Sequence, residues 1–360
     1  MNKTMQGRLN VFDFLRALAT LAVIGIHVSA NYADTSPGGL FFNQLVRFAV
    51  PMFVIISGYL LYFRDLSAAR PESAARFYQK RFSKILWPYL LWTVFYTLLT
   101  QYLLRIWPDP LTLAAAAGKH LLWGTAGYHL YFMVIIIQCY LLYPLLRVWL
   151  QRYPHKALLI LFVIGAVCQA WLYLHSIGRY PLPQIAYPQI YMRAFPSWIF
   201  YFGLGMYAAH FREQIESGLA AKRLLWGSFW GASLLVLLWE SRMTASFATS
   251  AKPTIMVYAV ISFFFFYSVA LQYSAMRMRC VEWFSRQSFL VYLSHPVVLL
   301  FLERIVHKIG RPYAWDGVSG MLLLYVLTVV ITIGVIYGLR FLPGLSLLGG
   351  QSSRRDDCQI

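Results

Sequence analysis

Apolar residues in this chain gather into runs of roughly twenty, and short charged stretches separate the runs. A helix rises 1.5 Å per residue, so a run of this length matches the hydrocarbon thickness of a bilayer. The pattern therefore predicts an all-α, polytopic membrane bundle of about ten transmembrane helices. The predicted spans are residues 9–31, 40–63, 84–105, 128–150, 156–175, 191–210, 223–240, 253–273, 287–307 and 319–341.

The composition leaves no room for a sizeable soluble domain. Of the 360 residues 59% are apolar and 12% are charged, and soluble domains carry roughly twice that charged fraction. We expect an integral-membrane domain over residues 1–345 and a short cytoplasmic tail over residues 346–360. The first apolar run begins near Leu9 and has no small-residue cleavage site behind it, which predicts a retained helix.

The distribution of positive charge indicates topology. The formal net charge is +18, but the basic residues lie in short clusters between apolar runs, which excludes a nucleic-acid-binding domain. About twice as many Lys and Arg residues lie on the N-terminal side of the predicted spans as on the opposite side. The positive-inside rule therefore predicts that both termini are cytoplasmic.

The cysteines predict no metal site. The four cysteines show neither a CxxC pair nor a Cys/His spacing typical of metal ligands. No pair is placed for an extracellular disulfide. We therefore expect no bound metal.

The first predicted span carries ionisable residues, which are costly inside a membrane and are therefore functional candidates. Arg16 and His27 are eleven residues apart, which is three turns plus about 20°, so they share one helix face about 16 Å apart. A cation and a potential general base on one face favour a substrate path. Two other interpretations remain: a snorkelling Arg16 paired with Asp13, and a His27 that bonds a neighbouring helix.

The stretch DFLRALATLAVIGIHV, residues 13–28, resembles the start of the acyltransferase-3 family of bacterial membrane O-acyltransferases. An arginine, ten intervening residues and a histidine are the hallmark of that family's first helix. The resemblance extends over nearly the whole chain, and no hydrolase domain of the SGNH type is appended, as in the stand-alone members. The further matching segments, in order, are VPMFVIISGYLL, FYQKRFSKILWPYLLW, YHLYFMVIIIQCYLLYPLL, YFGLGMY and SFLVYLSHPVV.

The resemblance implies a reaction and its substrates. Members move an acyl group, often acetyl from cytoplasmic acetyl-CoA, to a sugar hydroxyl of a surface polysaccharide or lipid-linked glycan outside the bacterial inner membrane. Arginine and lysine suit the phosphates of CoA, and the candidates here are Arg16, Arg76, Lys80 and Arg81. His27 is then the general base or, alternatively, a nucleophile that forms an acyl-histidine.

Other polar residues are expected to complete the site. A catalytic base needs an orienting partner; Glu303 is the first choice for His27 and Glu240 the second. His129 opens the fourth predicted span, where it would stabilise an oxyanion, hold the acceptor sugar, or simply lie at the interface. His295 is expected in the cytoplasmic half of its helix.

A transporter or flippase of a lipid-linked glycan is the main alternative. Ten spans, helices broken by proline and buried charges suit such a protein, but no internal repeat supports it. The sequence leaves open the acyl group, the acceptor glycan and the oligomeric state.

Overall fold

The computed structural model describes residues 3–68, 72–181, 190–276, 278–341 and 344–351. Within these ranges the regular structure is entirely helical, which confirms the predicted all-α class. The α-helices are α1 (Lys3–Ser29), α2 (Pro37–Leu45), α3 (Ala49–Leu66), α4 (Ala74–Leu104), α5 (Pro110–Trp123), α6 (Tyr131–Arg152), α7 (Pro154–Ser176), α8 (Ile190–Arg193), α9 (Ile199–His210), α10 (Arg212–Ala221), α11 (Arg223–Thr244), α12 (Pro253–Gln272), α13 (Arg279–Lys308) and α14 (Gly317–Leu339).

Eight helical segments of the described chain are long and apolar enough to cross a membrane. Two of the ten predicted spans are not among them. The helix α4 has 31 residues, but tyrosines and threonines dilute its apolar character. The span predicted at 191–210 is broken into α8, a 3-10 turn and the 12-residue α9. The polytopic membrane bundle is confirmed, whereas the number ten and the side of the termini stay predictions.

Helix α1 lies at the centre of the bundle, where it packs against α3, α12, α13 and α14. Its neighbour α3 crosses α9 at very close range. A Cβ at Gly58 would lie 2.1 Å from the Phe202 carbonyl oxygen, and one at Gly205 would lie 1.9 Å from the Ile55 carbonyl oxygen. Small residues at such crossings let two backbones touch, which is how membrane helices commonly pack.

The second predicted span is interrupted between α2 and α3 by Arg47. This buried guanidinium donates hydrogen bonds to the Asn43 side-chain oxygen at 2.6 Å and to the Phe247 carbonyl at 2.5 Å. Non-helical backbone is tolerated at this depth only where protein groups satisfy its polar atoms. Arg47 therefore ties the loop after α11 to the break in the span.

Helix α5 is not among the predicted elements, because residues 106–127 fall between two predicted spans. Pro110 opens the helix and Asp109 caps it. The Tyr89 hydroxyl donates to the Leu121 carbonyl at 2.6 Å, so α5 runs back along α4. Because Tyr89 lies fifteen residues before the end of α4, this return covers about 22 Å. The chain then turns at Gly124, whose φ is +62°, and delivers His129 to the interior.

The C-terminal segment also returns into the bundle. Trp92 on α4 donates its indole N–H to the Leu348 carbonyl at 3.0 Å. Gln287 on α13 exchanges two hydrogen bonds with the backbone of Gln351, at 2.8 and 3.1 Å. The segment predicted as a tail from residue 346 is therefore packed between α4 and α13 as far as residue 351. Residues 352–360 lie outside the described residues.

Candidate active site

Three histidines from distant parts of the chain meet beside α1. The ring of His27 lies 5.3 Å from that of His295, and His295 lies 5.9 Å from His129, measured between centroids. The ring of Tyr128 covers His27 at 4.6 Å. The sequence singled out His27 and His129 separately, and the structure brings them together; their catalytic roles stay predictions.

The expected depth of His295 was wrong. It was assigned to the same half of the membrane as Arg16, but it lies beside His27. The reason is that α13 begins at Arg279, eight residues before the predicted span, so His295 lies about 24 Å from the start of the helix. Its depth was predicted from residue 287, the start of the predicted span, and not from the true start of the helix.

The tautomer of His295 follows from its hydrogen bond. Its Nδ1 lies 3.0 Å from the Val291 carbonyl oxygen. A carbonyl only accepts, so Nδ1 carries the proton and Nε2 presents a lone pair. Nε2 is buried and has no partner among the described residues. His295 therefore offers a fixed proton acceptor next to His27.

Tyrosines fix the backbone of the turn that carries His129 and of the neighbouring helix α13. The Tyr292 hydroxyl donates to the His129 carbonyl, and the Tyr96 hydroxyl donates to the Leu293 carbonyl at 2.7 Å. The His129 ring is 1% exposed, and neither ring nitrogen has a well-formed hydrogen bond within the described part of the chain. The acceptor nearest to the ring is the Leu293 carbonyl oxygen, which also accepts from Tyr96. Buried polar atoms without partners are uncommon, and they suit a site that receives a ligand.

Glu303 is not placed where it would orient the His27 ring. It lies eight residues beyond His295 on α13, about 12 Å farther along the axis. Within the described residues it makes no hydrogen bond or ion pair with His27, and its electrostatic neighbours are Tyr32 and Tyr128. His295 occupies the position expected for Glu303, because depth in the sequence does not specify which residue faces a neighbouring helix.

Glu240, the second choice as a partner for His27, forms an ion pair with Lys252. Its carboxylate accepts a hydrogen bond at 2.5 Å from Lys252, whose side chain is fully buried. The Lys252 ammonium also donates to the Ser241 hydroxyl at 2.8 Å and to the Ser246 carbonyl at 2.7 Å. This ion pair holds the loop between α11 and α12 and does not reach the histidines.

Removing one partner of the Lys252–Glu240 ion pair should destabilise the protein more than removing both partners. We expect Lys252→Met to lower the free energy of unfolding by about 3–5 kcal/mol, because Glu240 is left buried and unpaired. The double variant Lys252→Met, Glu240→Leu should recover most of that loss. Thermal unfolding of the purified variants in one detergent measures both; a double variant less stable than Lys252→Met would contradict the expectation.

Arg16 and Arg81 lie together at the other end of the site. The two guanidinium groups are within electrostatic range of each other and of Tyr140. Asp13, the expected partner of Arg16, is its strongest electrostatic neighbour, but the hydrogen bond that Asp13 accepts comes from Ser285 at 2.7 Å. Neither arginine has an ion pair within the described residues. Two neighbouring cations repel each other, and Asp13 offsets this repulsion on the side of Arg16. A phosphate can accept from both guanidinium groups, so the pair is suited to one.

Arg76 and Lys80 form ion pairs with Glu72, which the sequence did not predict. The Glu72 carboxylate lies 2.5 Å from the Lys80 ammonium and 3.8 Å from Arg76, and Arg64 follows at 3.9 Å. The hydrogen bond from Lys80 lowers the pKa of Glu72 below its usual range. The carboxylate is therefore charged at neutral pH, and an incoming phosphate must compete with it.

Comparison with known proteins agrees with the resemblance. A family model described as an acyltransferase domain matches residues 9–339. Similar proteins are the probable poly-beta-1,6-N-acetyl-D-glucosamine export proteins of Staphylococcus aureus strain MSSA476, 22% identical over 92% of this chain and 94% of theirs, and of Staphylococcus epidermidis, 24% identical over 79% and 80%. No solved structure matches the chain significantly. The chain therefore belongs to the acyltransferase-3 family of multi-pass membrane acyltransferases.

Proposed function

We propose that this protein transfers an acyl group, most simply acetyl, from acyl-CoA to a sugar hydroxyl of a cell-surface polysaccharide or lipid-linked glycan. The meeting of His27, His129 and His295 carries the proposal, because proton transfer and oxyanion stabilisation need such groups in one place. The glycan acceptor is supported by the printed names of the relatives, which concern a polymer of N-acetylglucosamine.

The donor is assigned to the end of the bundle that carries Arg16 and Arg81. We place this end in the cytoplasm, as the charge bias indicates, and the protein in the bacterial inner membrane, as the family implies. The two guanidinium groups bind CoA phosphates, and the pantetheine arm extends along α1. The thioester then reaches His27, about 16 Å from Arg16 along the helix axis.

Each of the three histidines has a separate role in the reaction at the thioester. His27 takes the proton from the acceptor hydroxyl, whose oxygen attacks the thioester carbonyl. A ring N–H of His129 stabilises the oxyanion, and the CoA thiolate leaves and regains the proton from His27. The His295 lone pair keeps the charged His27 ring in place. If His27 is instead the nucleophile, the same geometry forms an acyl-histidine, which acid quenching with labelled donor would trap.

Purified protein supplied with acetyl-CoA and a glycan acceptor tests the proposal. We expect CoA thiol to be released in equal amount to acetyl ester formed on the glycan. Folded protein that consumes no acyl-CoA in the presence of several glycans would overturn the donor assignment.

Glycan export is the second candidate, because the relatives are named as export proteins. The broken span around α8 and α9 and the buried charges also suit a transporter. The two candidates differ in their need for a donor. An exporter moves unmodified glycan across a membrane without acyl-CoA, whereas the acyltransferase releases CoA.

Removing the competing acid should improve donor binding. We expect Glu72→Gln to lower the Kd for acetyl-CoA by about two- to fivefold at pH 7, since partly exposed ion pairs contribute up to about 1 kcal/mol each. Below the depressed pKa of Glu72 the wild type should approach the variant, because protonation releases Lys80 in the same way. Glu213→Gln, which breaks an exposed pair with Arg212, is the control. Equal affinity of both variants for the donor would contradict a competing role for Glu72.

A further inference from the structure

A cavity of about 1100 Å³ lies between α4, α5, α6 and the segment 190–196. Its walls are almost wholly apolar, and the lining residues Leu86, Trp87 and Leu122 are exposed at 43%, 55% and 63%. In a membrane-spanning bundle, exposed apolar side chains of this kind face hydrocarbon. The cavity therefore opens sideways toward lipid, and its size is at the upper end for ligand sites in proteins.

The cavity is built next to the histidines. Its wall α5 leads directly into the turn that carries His129, and α6 begins just after that turn. Tyr89 lines the cavity and lies within electrostatic range of Tyr292, whose hydroxyl holds the His129 backbone. Tyr89 and Tyr292 thus connect the cavity to the turn that carries His129.

Among the described residues that line the cavity, one is a cation. Arg193 donates from Nη1 to the Trp123 carbonyl and lies near Tyr131, the first residue of α6. Gln138 fixes the backbone beside it, by a hydrogen bond of 3.0 Å to the Arg193 carbonyl. Arg193 has no carboxylate partner among the described residues. A guanidinium offers five N–H donors, and within the described chain one of these donors is bound, by the Trp123 carbonyl. The others can donate to an anion.

We propose that this cavity holds the hydrocarbon chain of a lipid-linked glycan acceptor, with Arg193 paired to the phosphate of the carrier. The proposal rests on the proposed function and names its acceptor class. An apolar cavity with one unneutralised arginine at the histidine-bearing end of α6 complements a polyprenyl phosphate in both shape and charge. The glycan attached to that phosphate then lies beside His129.

Gly118 on α5 allows the cavity to be filled without disturbing its walls. It lines the cavity, and a Cβ there would have no atom within 4 Å. Gly118→Leu also replaces a poor helix former by a good one. Gly231 on α11 has the same open surroundings but does not line the cavity, so Gly231→Leu is a matched control.

Binding to delipidated protein tests the cavity with three probes: polyprenyl phosphate, the corresponding polyprenol, and dioleoylphosphatidylglycerol. We expect the wild type to prefer polyprenyl phosphate and Gly118→Leu to weaken its binding about tenfold or more, with Gly231→Leu unchanged. Arg193→Gln should bind the phosphate and the alcohol equally. Unchanged binding in Gly118→Leu, or equal binding of phosphatidylglycerol by the wild type, would overturn the proposal.

A second readout separates this proposal from the proposed function. If both hold, Gly118→Leu acetylates a water-soluble glycan fragment at the wild-type rate but has a raised KM for the lipid-linked acceptor. An unchanged KM for both acceptors overturns the cavity proposal alone. Failure of the wild type to acetylate any acceptor overturns the proposed function, while the binding measurements still decide the role of the cavity.

Discussion

His27→Ala should lower the rate of acyl transfer by about 10²–10⁴-fold, the usual contribution of a general base. The affinity for acyl-CoA should stay the same, because His27 lies about 16 Å from Arg16. The fold should tolerate the change. The His27 ring contacts Tyr128 and His295 but has no hydrogen-bond partner in the described chain, so its loss leaves no buried group unpaired.

The measurement is kcat with saturating donor, together with the Kd for acetyl-CoA, in one detergent. His175→Ala is the control, since His175 is exposed and, within the described residues, bonds only the Tyr180 carbonyl. An equal loss of kcat in both variants, or full activity in His27→Ala, would contradict the role of His27 as the base.

Arg16→Ala and Arg81→Ala should each raise the Kd for acyl-CoA by about 10- to 100-fold, because hydrogen bonds to charged groups contribute about 1.5–3 kcal/mol. Transfer at saturating donor should be nearly unchanged, since neither arginine lies beside the histidines. If both groups bind the same phosphate, the double variant loses less than the product of the single effects. Arg16→Lys should recover part of the affinity, because lysine keeps the charge but cannot donate two parallel hydrogen bonds as a guanidinium does.

Binding isotherms with acetyl-CoA and with CoA measure these effects. Arg242→Ala, at an exposed position near the end of α11, is the control. The arginines would have no part in donor binding if Arg16→Ala and Arg242→Ala bound the donor equally well.

The sequence predicted best what depends on position along one helix. Arg16 and His27 share a face because of the helical period alone, and runs of apolar residues locate most of the spans. The sequence was a poor guide to the depth of a residue when the start of its helix was uncertain. It was also a poor guide to which residues of neighbouring helices face each other. His295 was misplaced because α13 starts earlier than hydropathy indicates, and Glu303 was favoured on depth alone.

Two further features could not be predicted from the sequence, for physical reasons. Helix α5 is too short to span a bilayer, so its 14 residues resembled a loop, although its return along α4 is what positions His129. The cations Arg76 and Lys80 were predicted to bind CoA phosphates, but Glu72 lies in the preceding loop and pairs with both. Charge counting alone gives the sign of a region, whereas a structure shows which charges are already neutralised.

The most direct test of the account places donor and acceptor on opposite sides of a membrane. Protein is reconstituted into sealed vesicles with labelled acetyl-CoA on the side of Arg16 and Arg81, and a lipid-linked glycan accessible on the side of His27. The account predicts labelled acetyl esters on the glycan, formed by the wild type and not by His27→Ala. Passage of unlabelled glycan across the membrane without consumption of acetyl-CoA would contradict it and establish an exporter.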